Sequence, residues 1–219
     1  MMKSTIAVLL GLTAGINAHF TLNTPGPVGP LKEDDESNGP CGGYSPNLDN
    51  INTADFHVGG DAISATTTHP TTNWLYRMTT DATASGNWTQ IYGIVQQTGA
   101  GQFCAKDVTI PPQFVGQKAF IGVAADGPDG TLFQCSAVLF VNGTNDAPSS
   151  CTNDTKITVT YGADTDLSNL VGNGSNVNTS PSPTNTPNAA PSLHTVAAGS
   201  FGALLTTGAM VLAGFALMV

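Results

Sequence analysis

Basic residues are scarce in this chain. Only 6 lysines and arginines stand against 15 aspartates and glutamates among 219 residues, which gives a formal net charge of −9 at pH 7. A protein that binds nucleic acid needs a basic face to neutralise phosphates. The composition therefore argues against a nucleic-acid partner and suits a protein on the outside of a cell.

Residues 1–18 have the pattern of a secretory signal peptide. Lys3 precedes an apolar run from Ile6 to Leu12, and small and polar residues follow it as far as Ala18. Cleavage after Ala18 would make His19 the first residue of the mature protein.

The carboxyl end also carries a targeting pattern. Residues 196–219 contain no charged side chain, and no Lys or Arg follows them, as would be usual after a membrane-spanning helix. Small residues at 188–190, a polar spacer to about Ser200 and the apolar tail are typical of a glycosylphosphatidylinositol (GPI) signal. We predict attachment at Asn188 and removal of residues 189–219, which would place the protein on the outer face of the cell membrane or in the cell wall. A tail-anchored helix is the alternative.

No CxxC pair occurs in the sequence, which argues against a zinc site made of thiolates. The four cysteines of a secreted chain instead predict two disulfides, for which three connectivities exist. We predict the pairs Cys41–Cys151, tying an early loop to the last strand, and Cys104–Cys135, joining two central strands.

Between the two targeting signals the chain shows no convincing helical periodicity. Seven or so short strands with turn signals between them predict an all-β, immunoglobulin-like sandwich with little helix over residues 19–162. The charged run 32–36 is predicted to be a solvated loop, and residues 163–188, rich in Asn, Ser, Thr and Pro, a flexible stalk. The clearest strand segments are residues 71–80, 87–96, 103–110, 118–124, 132–141 and 156–161.

Five Asn-x-Ser/Thr sequons are candidate glycosylation sites in a secreted chain. They are Asn87, Asn142, Asn153, Asn173 and Asn178.

An amino-terminal histidine offers two nitrogens to one metal ion. The α-amine and Nδ1 of His19 would close a chelate ring, and a second imidazole would complete a planar three-nitrogen site that suits copper. Both groups must be deprotonated to bind, so the affinity should fall in acid. His57 and His69 could each supply the third nitrogen, since His194 lies in the removed tail.

Several short segments in combination resemble a known family. The pattern is similar to the fungal copper-binding proteins related to lytic polysaccharide monooxygenases, which include cell-surface copper acquisition factors. The segments are His19-Phe20 after the signal, Pro40-Cys41-Gly42-Gly43, Phe56 to Gly60, His69-Pro70, Phe103-Cys104 and Asp129 to Cys135, followed by the stalk and tail.

The resemblance implies one Cu(II) ion in a histidine brace. It implies His69 as the third nitrogen, with His57 incidental or an auxiliary ligand. It also implies a carboxylate near the copper in place of the tyrosine of the monooxygenases, for which Asp129 is the first choice and Asp126 the second.

We therefore predict a monomeric cell-surface protein that captures or hands over Cu(II) in copper acquisition or homeostasis, without catalytic turnover. A membrane copper transporter or a cell-wall glycan would be a further partner. One alternative is a copper-dependent polysaccharide monooxygenase, although Trp74 and Trp88 fall in predicted strands and favour the core over a flat glycan-binding face. The other is a glycosylated cell-wall protein that binds no metal.

Overall fold

Two β-sheets lie face to face in the computed structural model, which describes residues 18–172. The strands are β1 (Phe20–Thr24), β2 (Ala54–His57), β3 (Asp61–Thr67), β4 (Thr71–Thr79), β5 (Thr89–Gln90), β6 (Val95–Thr98), β7 (Gly101–Val108), β8 (Lys118–Gly127), β9 (Gly130–Val141) and β10 (Thr158–Tyr161). One sheet has the strand order β1-β3-β7, and the other has the order β10-β6-β4-β8-β9-β2, with β5 paired to β4. The predicted all-β sandwich with two disulfides and little helix is confirmed.

The core between the sheets is built from alternate residues of facing strands, because successive side chains of a strand point to opposite faces. Trp74 and Tyr76 of β4 meet Phe20 and Leu22 of β1, and all four are fully buried. The Phe20 and Trp74 rings pack edge to face with centroids 5.4 Å apart. Burial of Phe20 therefore fixes the position of the chain at the start of β1.

The outer face of the larger sheet is covered as well, which explains why β4 is buried on both sides. The loop between β1 and β2 packs there against Phe120 and Cys135, and the segment after β10 packs against Leu75. This segment contains the short helix α1 (Thr165–Ser168), whose Leu167 is fully buried.

The stalk prediction is therefore wrong for residues 163–172, which form part of the packed structure. Arg77 helps to hold them, because its guanidinium donates to the Leu170 carbonyl at 2.7 Å and lies over the Trp88 ring. Burial lowers the pKa of Arg77 to about 10, so the side chain remains charged at neutral pH.

The predicted disulfide pairing is wrong. The structure joins Cys41 to Cys135 and Cys104 to Cys151, with Cα separations of 4.9 and 5.3 Å. Cys104 lies on the outer face of the smaller sheet, and Cys135 lies on the outer face of the larger one. The core separates these two cysteines, so each pairs with the loop that covers its own sheet.

The strand prediction for 71–80 is confirmed by β4, and Trp74 and Trp88 are both buried as expected. A continuous strand over 87–96 is wrong, because the chain there forms only β5 and the start of β6. The prediction missed β1, β2 and β3.

Three sequons fall among the described residues, and Asn87, Asn142 and Asn153 are all exposed. The predicted signal peptide apart from Ala18, the remaining stalk, Asn173, Asn178 and the attachment residue Asn188 lie outside residues 18–172. Within that range no helix is both long and apolar enough to cross a membrane.

Candidate metal centre

The ladder between β1 and β3 brings His19 and His69 to the same end of the sandwich. Phe20 pairs with Thr67 in this antiparallel register. One step further, the His19 backbone N–H donates to Thr68 Oγ1 at 2.9 Å, and the Thr68 N–H donates to the His19 carbonyl at 2.9 Å. His69 follows directly, so the two histidines that the sequence predicts as ligands are neighbours in space.

Asp129 lies in the turn between β8 and β9 and connects both parts of this site. Its Oδ1 accepts a hydrogen bond from His69 Nε2, and its Oδ2 accepts from the Ala18 N–H at 3.2 Å. Partial burial raises the pKa of the Asp129 carboxyl, but these hydrogen bonds outweigh it and leave the pKa below its usual value. The carboxylate is therefore ionised at neutral pH beside the His69 ring and the backbone of Ala18, the residue before His19.

Asp126 has a different role. Its Oδ1 accepts a hydrogen bond from Thr131 Oγ1 at 2.7 Å across the β8–β9 ladder, which is turn chemistry. Asp126 therefore contacts its partner strand, whereas Asp129 contacts His69.

His69 is buried, with only 2% of its surface exposed. Its Nδ1 lies 3.2 Å from Thr67 Oγ1, so the hydroxyl can donate to it while Nε2–H donates to Asp129. Gly127 makes room for the ring, because a Cβ there would lie 2.7 Å from His69 Cδ2. The orientation of this imidazole is therefore set before any metal arrives.

The structure does not bring His57, the alternative left open by the sequence, together with His19, His69 and Asp129. His57 pairs with Val141 at the end of β9, whereas Asp129 precedes the start of that strand. Twelve residues of extended strand separate the two ends by roughly 35–40 Å. His57 instead contacts Asp61, with Nδ1 and Oδ2 3.1 Å apart.

Glu36 is the residue of the site that sequence reasoning missed. The run 32–36 is predicted to be solvated, yet Glu36 is 1% exposed and its Oε2 lies 3.2 Å from His19 Nδ1. Burial raises the pKa of Glu36 above its usual value, although hydrogen bonds from Gln134 and the Phe20 N–H and the charge of His19 oppose this. Nothing in the run distinguishes Glu36 from its neighbours, so no sequence signal could have identified it.

An open cavity of about 240 Å³ lies beside His19. Three of its lining residues are carboxylates, namely Glu33, Asp34 and Asp129, and none is Lys or Arg. Glu33 Oε2 also lies 3.7 Å from His19 Nε2. The approach to His19 is therefore negative and attracts cations.

Within residues 18–172, no three His, Cys, Asp or Glu side chains are already grouped so that they could hold a metal ion. The site consists instead of two histidine–carboxylate pairs, His19 with Glu36 and His69 with Asp129. The His19 nitrogen is still an amide in this chain, linked to Ala18. The donor types nevertheless fit copper, because imidazole nitrogen with carboxylate oxygen is a set that Cu(II) accepts.

Residues 17–156 match the sequence model of the BIM1-like copper acquisition factor domain. The chain belongs to this family. It is also 30% identical over 167 residues to the lytic polysaccharide monooxygenase-like protein X325 of Yarrowia lipolytica. The match covers 71% of this chain and 62% of that protein, so the chain spans less than two thirds of the relative's length. Membership of the family assigns a copper-related role and confirms the resemblance seen in the sequence.

Proposed function

We propose that this protein binds one Cu(II) ion through an amino-terminal histidine brace and captures or hands over the ion without turning over a substrate. His19 would supply the α-amine and Nδ1, His69 the third nitrogen, and Asp129 a neighbouring carboxylate. The observation that carries this proposal is that Asp129 contacts both the His69 ring and the backbone N–H immediately before His19.

Cleavage after Ala18 converts the observed arrangement into a donor set. The His19 amide becomes an amine with a free lone pair. Asp129 Oδ2 loses the hydrogen bond that it accepts from the Ala18 N–H. The amine, the His19 ring and a carboxylate are then available at one end of the sandwich, and His69 Nε2 joins them once its proton is lost or moves to Nδ1, beside Thr67 Oγ1. Copper bound there supplies a divalent charge that offsets the surrounding carboxylates.

The surroundings favour binding over turnover. A carboxylate next to copper stabilises the oxidised ion and occupies space that dioxygen chemistry needs. Both tryptophans of the chain are buried, so neither offers a flat face to a polysaccharide.

The cell surface is the location we propose, reached through the signal peptide and retained through a GPI lipid at Asn188. A membrane copper transporter or a wall glycan would then lie within reach as recipient or neighbour. The exposed sequons Asn87, Asn142 and Asn153 are compatible with glycosylation along that route.

Purification of the secreted protein tests the proposal directly. Intact mass after deglycosylation should correspond to a chain that begins at His19, and dialysed protein should retain about one copper per chain. Electron paramagnetic resonance (EPR) of the loaded protein should show an axial Cu(II) spectrum with nitrogen coupling. A different first residue, or a protein that retains no copper, would contradict the proposal.

A second assay separates binding from monooxygenase activity. The copper-loaded protein is incubated with a reductant and with chitin or cellulose, and the soluble products are analysed by mass spectrometry. We expect no oxidised oligosaccharides above the level of a free-copper control. Robust formation of such products would favour the monooxygenase alternative.

A further inference from the structure

Glu36 is a buried carboxylate whose two oxygens have different surroundings. Oε1 accepts hydrogen bonds from the Phe20 N–H at 3.3 Å and from Gln134 Nε2 at 2.8 Å. Oε2 lies 3.2 Å from His19 Nδ1, its one hydrogen-bond contact among residues 18–172. One oxygen therefore belongs to the protein framework, and the other faces the first residue of the proposed mature chain.

The framework oxygen is fixed by several contacts. Gln134 Nε2 also donates to the Phe20 carbonyl, while Gln134 Oε1 accepts from the Leu22 N–H at 3.0 Å. The backbone carbonyl of Glu36 accepts from the Phe133 N–H at 2.8 Å. Glu36 is thus held between β1 and β9 and cannot follow the His19 ring if the ring turns away.

Glu36 also lacks a permanent cation. In the described part of the chain no Lys or Arg forms an ion pair with it, and the nearby Lys32 lies over the Tyr44 ring and donates to the Gly43 carbonyl. A buried carboxylate is costly unless it is paired. His19 is the one partner that can present positive charge to Oε2, either as a protonated ring or through an ion bound to it.

The separation of the two atoms fits shared coordination. Two ligand atoms with metal bonds of about 2.0–2.2 Å at roughly right angles lie about 3 Å apart. Nδ1 and Oε2 are 3.2 Å apart.

We propose that Glu36 is a further oxygen ligand of the copper ion, so that the site has two carboxylates, Asp129 in the β8–β9 turn and Glu36 on the inner side of His19. This inference rests on the proposed function, since it assumes that His19 Nδ1 binds copper. A carboxylate that only held the ring in the metal-free protein would compete with copper for Nδ1. Removal of such a carboxylate would strengthen Cu(II) binding, whereas removal of a ligand would weaken it. The direction of the change in affinity therefore distinguishes the two roles.

The test compares Glu36→Gln with Glu33→Gln in the secreted, processed protein. Both changes remove one negative charge near the His19 ring, but Glu33 is exposed and 3.7 Å from Nε2. We expect Glu36→Gln to weaken Cu(II) binding by about 10-fold or more and to change the g and hyperfine values of the EPR spectrum. Glu33→Gln should change the affinity by about 2-fold or less, as surface charges do.

Thermal unfolding of the metal-free variants shows whether they fold. If Glu36→Gln does not, Glu36→Asp keeps the charge, withdraws the oxygen by one methylene and should change the EPR spectrum in the same way. Cu(II) binding by Glu36→Gln that is equal to or tighter than that of Glu33→Gln overturns the inference, and so does an EPR spectrum identical to that of the unsubstituted protein. Failure of the unsubstituted protein to bind copper would instead defeat the proposed function.

Discussion

Two histidine–aspartate pairs occur in this sandwich, and they differ in what the aspartate does. Asp61 lies four residues after His57 and is buried. It accepts hydrogen bonds from the His57 N–H at 2.9 Å, the Ala62 N–H at 2.8 Å and the Asn145 side chain at 3.2 Å, in addition to its contact with the His57 ring. Both oxygens of Asp61 therefore accept from groups of the folded chain, from His57 and Ala62 nearby and from Asn145 in a distant loop, and the pair serves the fold.

Asp129 lies 60 residues from His69 in the sequence and is partly exposed. One of its oxygens accepts from the His69 ring, and the other accepts from Ala18, which processing would remove. The pair joins distant parts of the chain, and removal of Ala18 would leave one oxygen without its donor. The comparison indicates that a histidine–carboxylate pair becomes a metal-site candidate when the mature chain does not saturate its carboxylate with hydrogen bonds.

Substitution of the two histidines gives the largest expected contrast. His69→Ala should weaken Cu(II) binding by about 100-fold, because the third nitrogen is lost and a buried space replaces the ring. His57→Ala should stay within about 2-fold, because that ring lies at the far end of β9. Competition titration with a chelator of known affinity measures both. Equal losses for the two variants would remove the distinction between the pairs.

Substitution of the two aspartates should separate copper binding from stability. Asp129→Asn should weaken Cu(II) binding by about 10-fold with little change in the free energy of unfolding. Asp61→Asn should lower the free energy of unfolding by about 1–3 kcal/mol, since buried N–H groups lose an ionised acceptor, and leave binding unchanged. Isothermal titration and urea unfolding of the metal-free variants give the two quantities. The comparison fails if Asp61→Asn weakens Cu(II) binding more than Asp129→Asn does.

Crowding of the His69 ring gives the smallest of these effects. In Gly127→Ala the new Cβ would lie 2.7 Å from His69 Cδ2 and 2.8 Å from Nε2, so the ring must shift. Gly26→Ala is a matched control because nothing lies within 4 Å of its Cβ. We expect Gly127→Ala to weaken Cu(II) binding by about 3- to 10-fold and Gly26→Ala to leave it unchanged. An unaffected Gly127→Ala protein would show that the His69 orientation is not critical.

The sequence predicted the sandwich because alternation and turn residues are local signals. It also predicted His19, His69 and Asp129, because short motifs around them resemble the family. The sequence could not reveal the burial of Glu36, which depends on Gln134, 98 residues away.

The predicted disulfide pairing was wrong for a related reason. The pairing depends on which face of each sheet carries Cys104 and Cys135, whereas the prediction used only the order of the cysteines along the chain. Alternation offered a usable signal for Cys104, since its neighbours Phe103 and Ala105 both point into the core. The sequence gives only a weak indication that residues 163–172 pack on the domain, namely the two leucines Leu167 and Leu170 in a polar segment.

The most direct test of the account is a Cu(II) titration of two chains that differ by one residue, one beginning at His19 and the other at Ala18. The account predicts tight binding of one ion by the chain that begins at His19, with a strong dependence on His69. The chain that begins at Ala18 should bind Cu(II) without dependence on His69, because its free α-amine belongs to Ala18 and the chelate ring of the His19 amine and Nδ1 cannot form. Equal affinity and equal dependence on His69 in the two chains would contradict the amino-terminal brace.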